Sequence, residues 1–151
     1  MNAAAQFAIV IGLSVAAAGG TYLVKGAPAR KLACDPAELK QGEICLQQVA
    51  DGVLWIDARP RVEWEKNGVP GSILWNLDAS ENAQAFEAEA AMRIVENPNV
   101  VVYCSNENCG ISRQVADKIL RLDLGAEVKV LRGGWQALND AGRVKVPTGS
   151  P

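Results

Sequence analysis

Between Asn99 and Ser112 the chain reads N-V-V-V-Y-C-S-N-E-N-C-G-I-S, and its hydrophobic period changes inside that stretch. Val100, Val101 and Val102, followed by Tyr103, form a short run of β-branched and aromatic residues. Such a run predicts a buried strand of a parallel sheet. After a polar loop, Ile111, Val115, Ile119 and Leu122 recur at helical spacing. Cys104 therefore falls where the carboxyl end of a strand meets a loop that feeds a helix. In open α/β sheets, sites form at that place.

Two readings of Cys104 stand side by side. In the first it is a small core residue, packed and inert. In the second it is a reactive thiolate, favoured by loop N–H groups and by the positive end of the helix dipole. A thiol with a pKa near 8.5 is only ~3% ionised at pH 7, and lowering the pKa by two units makes it roughly three-quarters thiolate.

The 151 residues carry a formal charge of −2 and no histidine. Near-neutral charge and few aromatics give no electrostatic case for nucleic acid. Without histidine a Cys–His dyad is impossible, and the commonest general base and metal ligand are missing. Cys104 and Cys109 lack companions for a zinc site, because Cys34 and Cys45 lie well before them without paired spacing.

Asn2 to Val24 contains no charged side chain. Its apolar part, roughly 18 residues, spans about 27 Å as a helix, close to a bilayer core. No basic residue precedes it as a secretory signal would require. Residues 1–25 are thus expected to be a single-pass transmembrane anchor, with a cleaved signal as the alternative. Lys25, Arg30 and Lys31 follow the span, which predicts a cytoplasmic domain by the positive-inside rule, against a periplasmic or exported one. Residues 26–42 read as a linker, 43–146 as the globular domain and 147–151 as a tail. Cys34 and Cys45 are expected to be ordinary thiols, one in the linker and one in a strand.

The rest of the domain alternates. Short strands are predicted at Glu43 to Leu46, Val53 to Ile56, Ser72 to Trp75 and Glu127 to Leu131. Helices are predicted from Pro60 to about Asn67, from Asn82 to Val95, from Ser112 to about Leu124 and from Trp135 to Ala141. Strands alternating with helices predict an α/β fold with a mostly parallel central sheet flanked by helices. Trp55, Trp64, Trp75 and Trp135 are expected to pack in the core or at its rim.

Four motifs in order make the chain resemble a rhodanese-like sulfurtransferase domain. They are Ile56-Asp57-Ala58-Arg59 at a strand end, the turn Gly68-Val69-Pro70-Gly71-Ser72-Ile73, the strand Val101-Val102-Tyr103-Cys104, and Leu131-Arg132-Gly133-Gly134-Trp135. The resemblance implies a three-layer rhodanese-like sandwich and persulfide chemistry. Cys104 would take sulfur from a small-molecule or protein donor and pass it to a thiol acceptor or cyanide. It implies no metal or organic cofactor. The loop Ser105, Asn106, Glu107, Asn108, Cys109, Gly110 and Ile111 would hold the persulfide anion. Asp57 and Arg59 would support the site, Asp57 by tying down neighbouring turns.

The sequence departs from the family at that loop. The path from Cys104 to Ser112 is about two residues longer, and it holds Glu107 and Cys109. A longer loop is similar to that of cell-cycle phosphatases and arsenate reductases, which need an arginine near the loop's end. Arg113 is the only candidate, and it falls on the helix. Glu107 also disfavours a dianion such as thiosulfate. Cys109 is either a resolving thiol for Cys104 or a small residue at a helix entrance. A second function therefore stays open, a redox-sensing or binding module built on Cys104 and Cys109.

Overall fold

The computed structural model describes residues 34–106, 108 and 110–145. The expected anchor at 1–25 lies outside them, as do Glu107 and Cys109. Among the described residues no helix is long and apolar enough to cross a membrane.

Five strands build one sheet: β1 (Glu43–Ile44), β2 (Leu54–Asp57), β3 (Ile73–Leu74), β4 (Asn99–Tyr103) and β5 (Glu127–Leu131). Their order is β1-β5-β4-β2-β3, and every pairing is parallel. The helices are α1 (Arg61–Asn67), α2 (Ala83–Glu96), α3 (Ile111–Arg121) and α4 (Gly134–Asp140). The valine run thus forms the central strand, with Asp57 paired to Tyr103 on one side and Val102 paired to Val130 on the other.

Strand residues alternate between faces with period two, and the core divides accordingly. Val100 and Val102 join Leu54 and Ile56 in a cluster with Phe86, Ala90 and Ile94 of α2 and Val115, Ala116 and Ile119 of α3. Val101 and Tyr103 join Leu131 and Leu138, with Trp55 and Trp135 packed against them. Helices therefore cover both faces, as a parallel sheet with two apolar faces requires. Trp75 is fully buried in the first cluster, and Trp64 packs at its edge.

Local chemistry sets several boundaries. Pro60 precedes α1 as its N-cap. The Asn82 side chain caps α2 by accepting from Ala85 N at 3.1 Å. Helix α3 stops at Arg121, short of the expected Leu124, because Asp123 takes a left-handed backbone conformation (φ 52°).

The two amino-terminal cysteines differ from expectation. Cys34 and Cys45 form a disulfide, with Cα atoms 5.7 Å apart. Cys45 follows β1 rather than lying in it, and its sulfur is buried against the domain. Spacing along the chain did not reveal the pair, since the chain must fold back between Leu39 and Gly42 to bring the two together.

Candidate functional site

Cys104 follows the last residue of β4 directly and is 3% exposed. Its backbone is gripped by the turn that opens α4. Trp135 N donates to the Cys104 carbonyl at 2.6 Å, and Gln136 N donates to the Ser105 carbonyl at 3.4 Å. Gly133 and Gly134 both have positive φ, at 79° and 54°. A Cβ on Gly134 would collide with the Cys104 carbonyl oxygen, so only glycine permits this approach.

Beyond Cys104 the loop turns outward. Ser105 is half-buried, whereas Asn106, Asn108 and Gly110 are exposed. The Asn106 side chain accepts from Asn108 N at 3.0 Å, forming an Asx turn. Gly110 is the N-cap of α3 and contributes no side-chain cap, while Ile111 starts the helix at 37% exposure. Cys104 does not stand as a free thiol.

A cavity of about 270 Å³ opens beside this loop. Asn106, Asn108, Gly110 and Ser112 form its loop wall, and Lys40, Glu43, Arg113 and Arg132 bring charge to it. Glu43 accepts from Arg113 at 3.0 Å and lies 3.6 Å from Arg132. Arg113 also donates to the Gln41 carbonyl at 3.1 Å. That guanidinium is committed to the β1 side of the cavity, on a helix, as the sequence indicates.

Asp57 and Arg59 are buried beside the strand ends, at 0% and 2% exposure. Arg59 Nη2 donates to Asp57 Oδ2 at 2.8 Å, its Nε donates to Oδ1 at 3.0 Å, and its backbone N–H donates to Oδ1 at 2.9 Å. The other guanidinium nitrogen donates to Asn67 at 3.0 Å and meets Glu63 at 3.4 Å. Burial alone would lower the Arg59 pKa, but the hydrogen bond and charge of Asp57 outweigh it and hold the pKa above its ordinary value. The guanidinium carbon also lies 5.7 Å from the Tyr103 ring centre and 5.2 Å from that of Trp135.

The Tyr103 hydroxyl completes this network. It donates to Asp57 Oδ2 at 2.6 Å and accepts from Val69 N at 3.0 Å. Asp57, Arg59, Val69, Tyr103 and Trp135 thus link three of the four sequence motifs to the residue before Cys104. Sequence reasoning read Asp57 and Arg59 as supports but overlooked the Tyr103 hydroxyl and the Gly134 contact. A tyrosine among valines in a strand buried on both faces was the available signal, because its hydroxyl must find a partner. The Gly-Gly doublet was the other.

Residues 36–141 match the family model of the rhodanese-like domain, well over half of the chain. The chain belongs to the rhodanese-like family. No protein with a curated description matches it. Among solved structures, this rhodanese-like domain is similar to a Bacillus halodurans protein at 21% identity, with 66% of this chain and 67% of that one covered and a TM-score of 0.50. The As-Sb reductase of Leishmania major also matches at 21% identity, covering 64% of this chain and 73% of its own, with a TM-score of 0.50. A Saccharomyces cerevisiae protein described as a homolog of single-domain rhodanese and the Cdc25 phosphatase catalytic domain matches at 18% identity. It covers 61% of this chain and 70% of its own, with a TM-score of 0.48. At 21% identity the likeness to the Bacillus halodurans and Leishmania major proteins concerns the fold alone.

Proposed function

We propose that this rhodanese-like domain is a sulfurtransferase that carries sulfane sulfur as a persulfide on Cys104, anchored to a membrane by residues 1–25. The observation that carries the reading is the position of Cys104, which ends the central strand of a rhodanese-like sheet and leads into the loop before α3. In the first step the reduced Cys104 thiolate attacks the outer sulfur of a donor. The donor's S–S bond breaks, sulfite or a thiol leaves, and Cys104 holds Cys–S–S⁻. In the second step an acceptor thiolate or cyanide attacks the outer sulfur, and Cys104 leaves as thiolate. The loop from Ser105 to Ile111 holds the persulfide anion, and Asp57, Arg59 and Tyr103 fix the end of β4.

The test is mass spectrometry of the reduced full chain after thiosulfate or polysulfide. Added mass of one sulfur on Cys104, removable by cyanide and absent in Cys104→Ser, is the expected result. An equal gain in Cys104→Ser would refute the assignment.

A second reading has one observation in its favour: Cys104 does not stand as a free thiol. In that reading Cys109 is the resolving thiol and the pair acts as a redox switch. Rapid closure of a Cys104–Cys109 disulfide under mild oxidant, with no sulfur loading from either donor, is its signature.

A further inference from the structure

The segment from Cys34 to Gly42 buries little apolar surface, with Leu39 only half-buried. Asp35 through Glu38 are exposed, and the 3-10 turn Pro36–Glu38 buries no residue. Strand β1 is only two residues long and lies at the sheet edge. What fastens the segment is covalent and polar. The Cys34–Cys45 bond ties its start to the end of β1. Around the bond, Gln47 Nε2 donates to the Cys34 carbonyl at 2.9 Å, Cys45 N donates to Gln48 Oε1 at 3.1 Å, and Ala37 N donates to Asp35 Oδ1 at 2.9 Å. The first two of these hydrogen bonds engage the backbones of Cys34 and Cys45. Cys45 is fully buried, which shields its sulfur from passing reductants, while Cys34 is half-buried.

A design that relies on a disulfide in place of apolar burial is sustainable only where disulfides persist. Such places are the periplasm, the cell exterior and the secretory lumen; in the cytosol, thiol reductants keep cysteines reduced. We propose that the rhodanese-like domain lies on the oxidising side of its membrane, an inference that rests on the proposed anchor, with Cys34–Cys45 as a permanent staple of the domain. The staple forms by thiol–disulfide exchange with an oxidised dithiol carrier of that compartment. One of the two thiolates attacks the carrier's disulfide and gives a mixed disulfide. The other displaces the carrier, which leaves as a dithiol holding the two electrons and two protons. The opposing cue, the positive-inside bias, rests on Lys25, Arg30 and Lys31 alone. The inference is independent of the sulfur-transfer reading, because neither cysteine of the staple takes part in it.

The test uses the full chain with Cys104→Ala and Cys109→Ala, expressed in a Gram-negative host, so that Cys34 and Cys45 are the remaining thiols. Cells are acid-quenched and labelled with a mass-adding maleimide, before and after reduction. In parallel the full chain is fused at its carboxyl end to alkaline phosphatase, active outside the cytoplasm, and to green fluorescent protein, fluorescent inside it. The expected result is no label before reduction, two labels after it, and an active phosphatase fusion. Two labels without reduction, or a fluorescent fusion with inactive phosphatase, overturns the proposal.

Discussion

The Tyr103 hydroxyl donates to Oδ2 of Asp57 across 2.6 Å, joining the last residue of β4 to the last residue of β2. The bond lies one residue before the candidate nucleophile, and the Val69 N–H donates to the same hydroxyl. Burial first, then the charge and hydrogen bond of Asp57, push the Tyr103 phenol well above its ordinary value of 10.0.

The sign of the pH effect follows from proton counts. Above pH 10 an unfolded tyrosine loses its proton while folded Tyr103 keeps it, so the folded state binds more protons and stability falls as pH rises. Below that pH the contribution is fully present. Urea unfolding at pH 7 and pH 11 should show wild type losing more stability between the two than Tyr103→Phe does. At pH 7 the variant should itself be weaker by about 1–3 kcal/mol, because Val69 N–H and Asp57 Oδ2 each lose a buried partner.

Asp57→Asn leaves the Arg59 guanidinium buried without its principal counter-charge. Removing one member of a buried ion pair costs about 3–5 kcal/mol. The solvent-screened pair of Arg61 and Glu81, at 2.7 Å, is the control, and Arg61→Gln there should cost clearly less. Both numbers come from denaturant titration, and similar losses for the two variants would contradict the network.

Gly134→Ala places a methyl group against the Cys104 carbonyl and forces a side chain into positive φ. A loss of about 2–4 kcal/mol is expected, together with slower thiol chemistry at Cys104. Gly142 has a similar φ of 67° but open space around it. Gly142→Ala should therefore lose only about 1–2 kcal/mol, the left-handed backbone cost alone. Thermal melts and the rate of Cys104 alkylation after reduction separate the two.

Arg113→Ala tests whether phosphate-type chemistry is at work. Its guanidinium is held by Glu43 and the Gln41 carbonyl at the cavity's β1 side. Sulfur loading of Cys104 should survive, and stability should change by no more than about 1 kcal/mol, as for other exposed pairs. Loss of all loading would mean that Arg113 serves the loop after all.

Much of the architecture was readable because it depends on local patterns. Val100 to Tyr103, Phe86, Ala90 and Ile94, and Val115 and Ile119 show their periods within a few residues, and those periods set strand, helix and buried face. Helix ends were less readable. The left-handed turn at Asp123, two residues before Gly125, cut α3 short of the apolar pattern.

By itself, the sequence determined an α/β alternation with Cys104 at a strand end, and the ordered motifs of a rhodanese-like domain around it. These follow from hydrophobic period and residue type, which act over one or two turns of chain. Tertiary structure alone decided which groups meet. Asp57 and Tyr103 are 46 residues apart, Arg113 and Glu43 are 70 apart, and Cys34 finds Cys45 only after a reversal of direction. The approach of Gly134 to the Cys104 carbonyl likewise exists only once β4 and β5 are paired. Such contacts depend on strand order and register, which arise when the whole sheet buries both its faces together.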